Sequence, residues 1–172
     1  MKGKKKKVIV WIGLPILLLV IVTLALEHKT DKGKNQSFTF YDFTRQGELL
    51  FRRNDRILKK IDIEIADSEY KIILGLMFRK EMQENQGMLF LFDNEEPRSF
   101  WMKDTYISLD ILFADASKKI VTIHKYTTPF TTNGYASTEP AQYVVEVISG
   151  FTDKYNIKTG DTIEWVRANS DQ

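Results

Sequence analysis

The sequence predicts a mainly β (α+β) domain, a compact barrel-like rolled sheet with short helices, preceded by one N-terminal transmembrane helix. Three observations carry this prediction. Residues 8–26 contain no charged side chain. Isoleucines 57, 61, 63 and 65 interleave with Asp62 and Glu64, the period-two signature of a half-buried strand. Short apolar runs separated by turn residues then recur as far as residue 166, with little helical periodicity among them. That pattern favours a barrel or rolled sheet over a doubly wound fold.

The first element is the span Val8–Leu26, VIVWIGLPILLLVIVTLAL. At about 1.5 Å per residue it reaches roughly the 30 Å of a bilayer's hydrocarbon core. Gly13 and Pro15 are tolerated in such spans. Lysines 2, 4, 5, 6 and 7 precede it, which keeps the N-terminus cytoplasmic and places the remainder extracytoplasmic, in the cell envelope. Thr23 and Ala25 offer a small-residue cleavage site, but the run exceeds the roughly 7–15 residues of a signal-peptide core, so a single-pass anchor is expected. The chain has no cysteine, which excludes a lipoprotein anchor, disulfides, thiolate catalysis and cysteine zinc sites.

Beyond the span, the spacing divides the chain into a polar linker at 27–37, an N-terminal hairpin extension at 38–56, a β-rich domain at 57–166 and a tail at 167–172. In the extension, FTFYDF at 38–43 and ELLF at 48–51 flank the turn residues Arg45, Gln46 and Gly47. Asp67 or Ser68 caps a short helix through about Met77, with Tyr70, Ile73, Leu74 and Met77 at helical spacing. Strands follow at 88–92, 99–102, 109–114 and 119–125. A polar loop containing Pro129 and Pro140 leads into a strand at 143–148, a turn of helix at 151–155 and a last strand at 162–166.

The overall formal charge of +2 conceals a mildly acidic domain, because residues 27–172 alone carry −3. With no basic stripe, nucleic acid is not an expected partner. His28 and His124 are the only histidines and have no spaced companions, so no metal site and no cofactor are expected. Phosphate-loop, nucleophile-elbow and HExxH patterns are absent.

The densest unusual segment is Arg98-Ser-Phe-Trp-Met-Lys-Asp-Thr105. Trp101 suits stacking of a ligand ring, with Lys103 and Asp104 supplying polar contacts. By strand alternation Trp101 and Lys103 share one face and Phe100 and Met102 the other; one of these pairs is core. Asp110 and Glu146 each sit inside apolar strands. They are either solvated on an outer face or buried, in which case they need partners such as Lys103, Arg79 or Arg98. Buried together, the two carboxylates have the makings of an acid/base pair. Arg79 follows an apolar run, where it pairs with a carboxylate or bonds carbonyls at a helix end.

The ordered set Gly75-Leu-Met-Phe-Arg79, Gly87-Met-Leu-Phe-Leu-Phe92, Ser99-Phe-Trp-Met-Lys-Asp-Thr105, Leu109-Asp-Ile-Leu-Phe113, Tyr143-Val-Val-Glu146, Gly150 and Gly160-Asp161 resembles the family called domain of unknown function 192, over about residues 57–166. The resemblance implies a small, single-domain, β-rich barrel-like protein, often carrying a signal peptide or anchor, and brings no known activity. Asp104 stands where the family commonly has Asn.

Three functions are consistent with these residues. The first is a non-catalytic binding or accessory module of the envelope, holding a small polar ligand or an envelope protein near Arg79, Trp101, Lys103, Asp104, Asp110 and Glu146. The second is a structural module that docks a membrane protein through an apolar patch. The third is a hydrolase-type enzyme with Asp104, Asp110 or Glu146 as acid/base.

Overall fold

The computed structural model describes residues 42–168; the expected anchor at 8–26, the linker and the tail beyond 168 lie outside them. Among the described residues no helix is long and apolar enough to cross a membrane. In chain order the elements are β1 (Gly47–Arg53), β2 (Arg56–Ala66), α1 (Glu69–Leu74), β3 (Gln86–Glu96), β4 (Ser99–Phe100), β5 (Leu109–Ala114), β6 (Ile120–His124), β7 (Tyr135–Ala136), β8 (Ala141–Ile148), α2 (Phe151–Lys154) and β9 (Thr162–Arg167). The fold is mainly β, with short helices.

Seven strands form one sheet in the order β6-β5-β8-β3-β2-β1-β9, and β4 pairs only with β7. Most of the first limb of the expected hairpin across Arg45–Gly47, residues 38–41, lies outside the described residues. Residues 42–46 are irregular, and β1 pairs antiparallel with β2 across Asn54-Asp55. Asn54 adopts φ 52°, the left-handed conformation that a two-residue hairpin turn demands and that Asn tolerates. Residues 47–53 are therefore an inner strand of the main sheet rather than an extension. The connection from β2 to β3 crosses over through α1 and makes the only parallel pair of the sheet among the described residues.

The sheet is open rather than a closed barrel. It rolls far enough that its two edge strands approach at one end, where Lys119 and Thr162 form a single bridge. Ile120 N–H donates to Asp161 O and Ile163 N–H to Lys118 O at the same place. Inside the roll Leu49, Phe51, Ile63, Leu89, Val145 and Ile163 are fully buried, with Phe151 of α2 packed into them. The opposite face is covered as well: Leu76, Met102 and the 100–107 and 135–141 segments close over Phe90, Ile111, Phe113 and Val144. Burying each large apolar side chain contributes about 1.5–3 kcal/mol, so both layers hold the sheet.

This two-sided cover explains the central strands. β5 is buried at every position, and Val144 to Val147 of β8 are buried in succession, as expected where both faces of a strand are packed. Polar residues in these strands therefore have no solvated face. Strand β3 adds a close approach: a Cβ on Gly87 would lie 2.8 Å from Ile61 Cδ1 and 3.0 Å from the Glu146 carbonyl oxygen, so glycine lets β3 seat against β8 at the level of Glu146.

The helix after β2 is shorter than its apolar spacing predicts. It stops at Gly75, φ 47°, and Tyr70 and Ile73 remain exposed rather than facing the core. Leu76, beyond the helix, makes the buried contact.

Candidate functional site

The register of the central strands sorts the two buried carboxylates. Asp110 lies opposite Val147, and Ile111 lies opposite Glu146. Directly opposed residues share a face, so Asp110 points into the roll and Glu146 points to the other side. The two cannot act as a pair, and the structure corrects that expectation.

Asp110, fully buried, is saturated. One oxygen accepts from Tyr126 N–H at 3.0 Å and Gly150 N–H at 3.1 Å. The other accepts from Thr152 N–H at 2.9 Å and Thr152 Oγ1 at 2.6 Å. Two of these donors open α2, whose first N–H groups lack intrahelical partners and favour an anion. Asp110 is thus a long-range cap that joins β5 to α2.

Glu146 is the opposite case. It is 4 % exposed, its cross-strand neighbours are Met88 and Ile111, and its carboxyl meets no donor among the described residues. Burial alone pushes its pKa from 4.5 up to about 8, because desolvation penalises the ionised form. Its side chain floors a cavity of about 520 Å³ between the 72–77 segment and the 97–105 segment. Phe90, Phe92 and Phe100 form its wall, with Phe100 set edge-on to the other two rings. Trp101 and Lys103 stand at its mouth, exposed, the ammonium 5.4 Å from the indole centroid.

The alternation in the 98–105 segment is now resolved. Met102 is buried and Phe100 faces the apolar layer, while Trp101 and Lys103 turn outward. Asp104 sits in a turn at φ 53°, where its carbonyl oxygen accepts Phe78 N–H, and it does not border the cavity. Asn and Asp both tolerate this conformation, which accounts physically for either residue there. Arg79 is also elsewhere: its Nη2 lies 2.7 Å from Glu64 Oε2. The approach makes no directed hydrogen bond to that oxygen, so charge holds the pair. Of the expected residues, the cavity brings together Trp101, Lys103 and Glu146, and leaves out Arg79, Asp104 and Asp110.

Sequence reasoning missed the aromatic wall and the role of Arg98. Arg98 stacks over Phe92 at 3.9 Å, donates to Asn94 O and Ala141 O, and pairs with Glu96. Its donors are committed to bracing the corner between β3 and β4. The signal for the wall was the Phe90-Leu-Phe92 run followed by Phe100, which places rings at alternate positions on one face. Away from the cavity lining, Phe78 and Phe130 hold exposed rings on left-handed backbone, φ 63° and 61°. Such conformations in bulky residues cost about 1–3 kcal/mol each and gather at functional sites. No group of three or more His, Asp or Glu among the described residues is arranged to hold a metal ion.

The model of the family DUF192, described as "Uncharacterized ACR", matches residues 50–165. A UPF0127 protein of Pyrococcus furiosus is 27 % identical over 113 residues, 63 % of this chain and 90 % of its own length. A UPF0127 protein of Pyrococcus horikoshii is 28 % identical over 109 residues, 60 % of this chain and 87 % of its own. Among solved structures, a Sinorhizobium meliloti protein described provisionally as a transcription regulator superposes with a TM-score of 0.67 at 31 % identity, covering 73 % of this chain and 96 % of that one. A protein of unknown function from Novosphingobium aromaticivorans gives 0.66 at 28 % identity, covering 69 % and 84 %.

Proposed function

This chain belongs to the DUF192 family, and on that premise we propose that it is a non-catalytic binding module whose ligand enters the cavity above Glu146. The observation that carries this reading is a buried carboxyl with no protein partner, aimed into an aromatic-walled space. Among the described residues the one sealed side-chain oxygen without a hydrogen bond is Glu64 Oε2, so the Glu146 oxygens reach the cavity space, where a ligand that fills it would meet them directly. The volume lies in the range of small-molecule sites, which are mostly apolar with a few converging polar groups.

The reading extends to location. Residues 8–26 anchor the chain in a membrane with the domain on the outer side; the uncharged run and the lysines before it support this. Protease added outside intact cells should then degrade the domain while a tag ahead of Lys2 survives. A domain protected until the cells are opened would overturn this topology.

Trp101→Ala tests the binding site. Trp101 is 48 % exposed, so stability should change by less than about 0.5 kcal/mol. Affinity for any cavity ligand should fall by about tenfold, the loss of one aromatic contact. Suitable ligands come from a chemical-shift screen of the full-length chain against envelope sugars, peptidoglycan fragments, nucleotides and small organic acids. Shifts should cluster around Trp101, Lys103 and β8. Shifts spread elsewhere, or a folded protein silent to every class, count against the cavity.

A further inference from the structure

We infer that the ligand of this cavity is a small organic anion whose far end carries an uncharged hydrogen-bonding group: the anion meets Lys103 at the mouth, an apolar body lies along Phe92 and Phe100, and the polar tip reaches the Glu146 carboxyl. This deepens the binding reading above and rests on it.

Two ionisable groups facing the cavity lack a protein hydrogen bond or salt bridge, and they sit at its two ends. Glu146 has none at the floor. The Lys103 ammonium at the mouth pairs with no carboxylate among the described residues and lies 5.4 Å from the Trp101 ring centroid. The other cation on the lining, Arg98, is satisfied by Glu96 and two carbonyls. Glu64, on the same face two strands away from Glu146 and beyond Met88, is paired with Arg79. Of the cations that line the cavity, Lys103 alone has no salt-bridge partner, and its neighbour Asp104 is not part of the lining, so the lining favours an anion over a cation at the mouth. At the floor Glu146 lies between Met88 and Ile111 of the neighbouring strands and carries no fixed charge at neutral pH, since burial keeps it protonated. A protonated carboxyl offers one donor and one acceptor, so it matches an amide or a hydroxyl rather than an ammonium.

Four probes on one body separate the possibilities, each titrated by calorimetry into the full-length chain. They are 3-(4-carbamoylphenyl)propanoate, its 4-methyl and 4-aminomethyl counterparts, and 4-propylbenzamide, which lacks the anion. The carbamoyl anion should bind at least tenfold tighter than the methyl anion and the neutral benzamide. Its affinity should hold below pH 7 and weaken above about pH 8, as Glu146 ionises. Glu146→Gln should keep the affinity and abolish the pH dependence, and Lys103→Gln should erase the advantage of the anion without unfolding an exposed site. Equal binding by the methyl anion overturns the role given to Glu146. Tightest binding by the aminomethyl probe, rising with pH, overturns the ligand class and leaves the cavity standing. Failure of all four at millimolar concentration overturns the cavity reading itself, and this inference with it.

Discussion

Asp110→Ala should destabilise the domain by about 3–5 kcal/mol, the range for removing one partner of a buried charged network. The carboxylate accepts three backbone N–H groups and one hydroxyl. Thr152 is fully buried, and its N–H cannot turn to water when the acceptor is gone. Gly150 and Tyr126 are more accessible and recover part of their loss. The damage spreads through α2, whose Phe151 ring lies in the roll 5.4 Å from Phe51. Asp110→Asn should fall between wild type and Ala, because its amide nitrogen presents a donor to donors. Urea unfolding monitored by near-ultraviolet dichroism measures both. A midpoint for Asp110→Ala that corresponds to less than 1 kcal/mol, by the usual linear extrapolation, would remove the capping role. The same result bears on catalysis: an activity lost in Asp110 variants would report unfolding, not a missing acid.

The β elements were legible because they rest on local signals. Strand β5 matches its apolar run residue for residue, and Ile61, Ile63 and Ile65 occupy the buried face that their alternation predicts. The failures share a physical cause, which is that long-range pairing decides them. ELLF pairs on one side with β2 and on the other with β9 from the far end of the domain, and nothing within the segment reveals the second partner. The α1 stripe looked buried, yet Tyr70 is exposed and Ile73 borders an open cavity instead of a core. For the site, strand alternation correctly paired Trp101 with Lys103. It had no means of placing Asp110 and Glu146, since their faces depend on the register between β5 and β8. Each lies next to valine or isoleucine in a strand covered on both sides, and the pattern is the same for a saturated cap and for a partnerless cavity floor. Only the donors around them tell the two apart, and those donors come from residues 126 and 150–152.

Glu146 should make the domain lose stability as pH rises across a range where most proteins are at their best. Its carboxyl titrates at about 8 in the folded chain against 4.5 for an unperturbed glutamate. Between those values the folded state holds a proton that the unfolded chain has released, so unfolding is favoured by raising pH. The stability of the neutral form is complete below about pH 4.5 and lost progressively towards pH 8, by about 1.4 kcal/mol per unit. Carboxylates held low by salt bridges, such as Asp67 beside Lys71 and Arg167 and Glu84 beside Lys154, act in the opposite sense. Their contribution is lost as pH falls through the acid range, and it is common to wild type and variant. The comparison to make is therefore wild type against Glu146→Gln, which keeps the shape and removes the titration. The variant should gain on wild type steadily from pH 5 to 8 and hold its lead above that. A constant difference across the window would mean that the floor of the cavity is wet or paired and that Glu146 is no longer a group kept neutral by burial. A growing difference would mean that the fold tolerates several kcal/mol of instability at neutral and alkaline pH to keep one unpaired carboxyl in an apolar hollow. Proteins accept such costs where a site must remain unsatisfied until its ligand arrives.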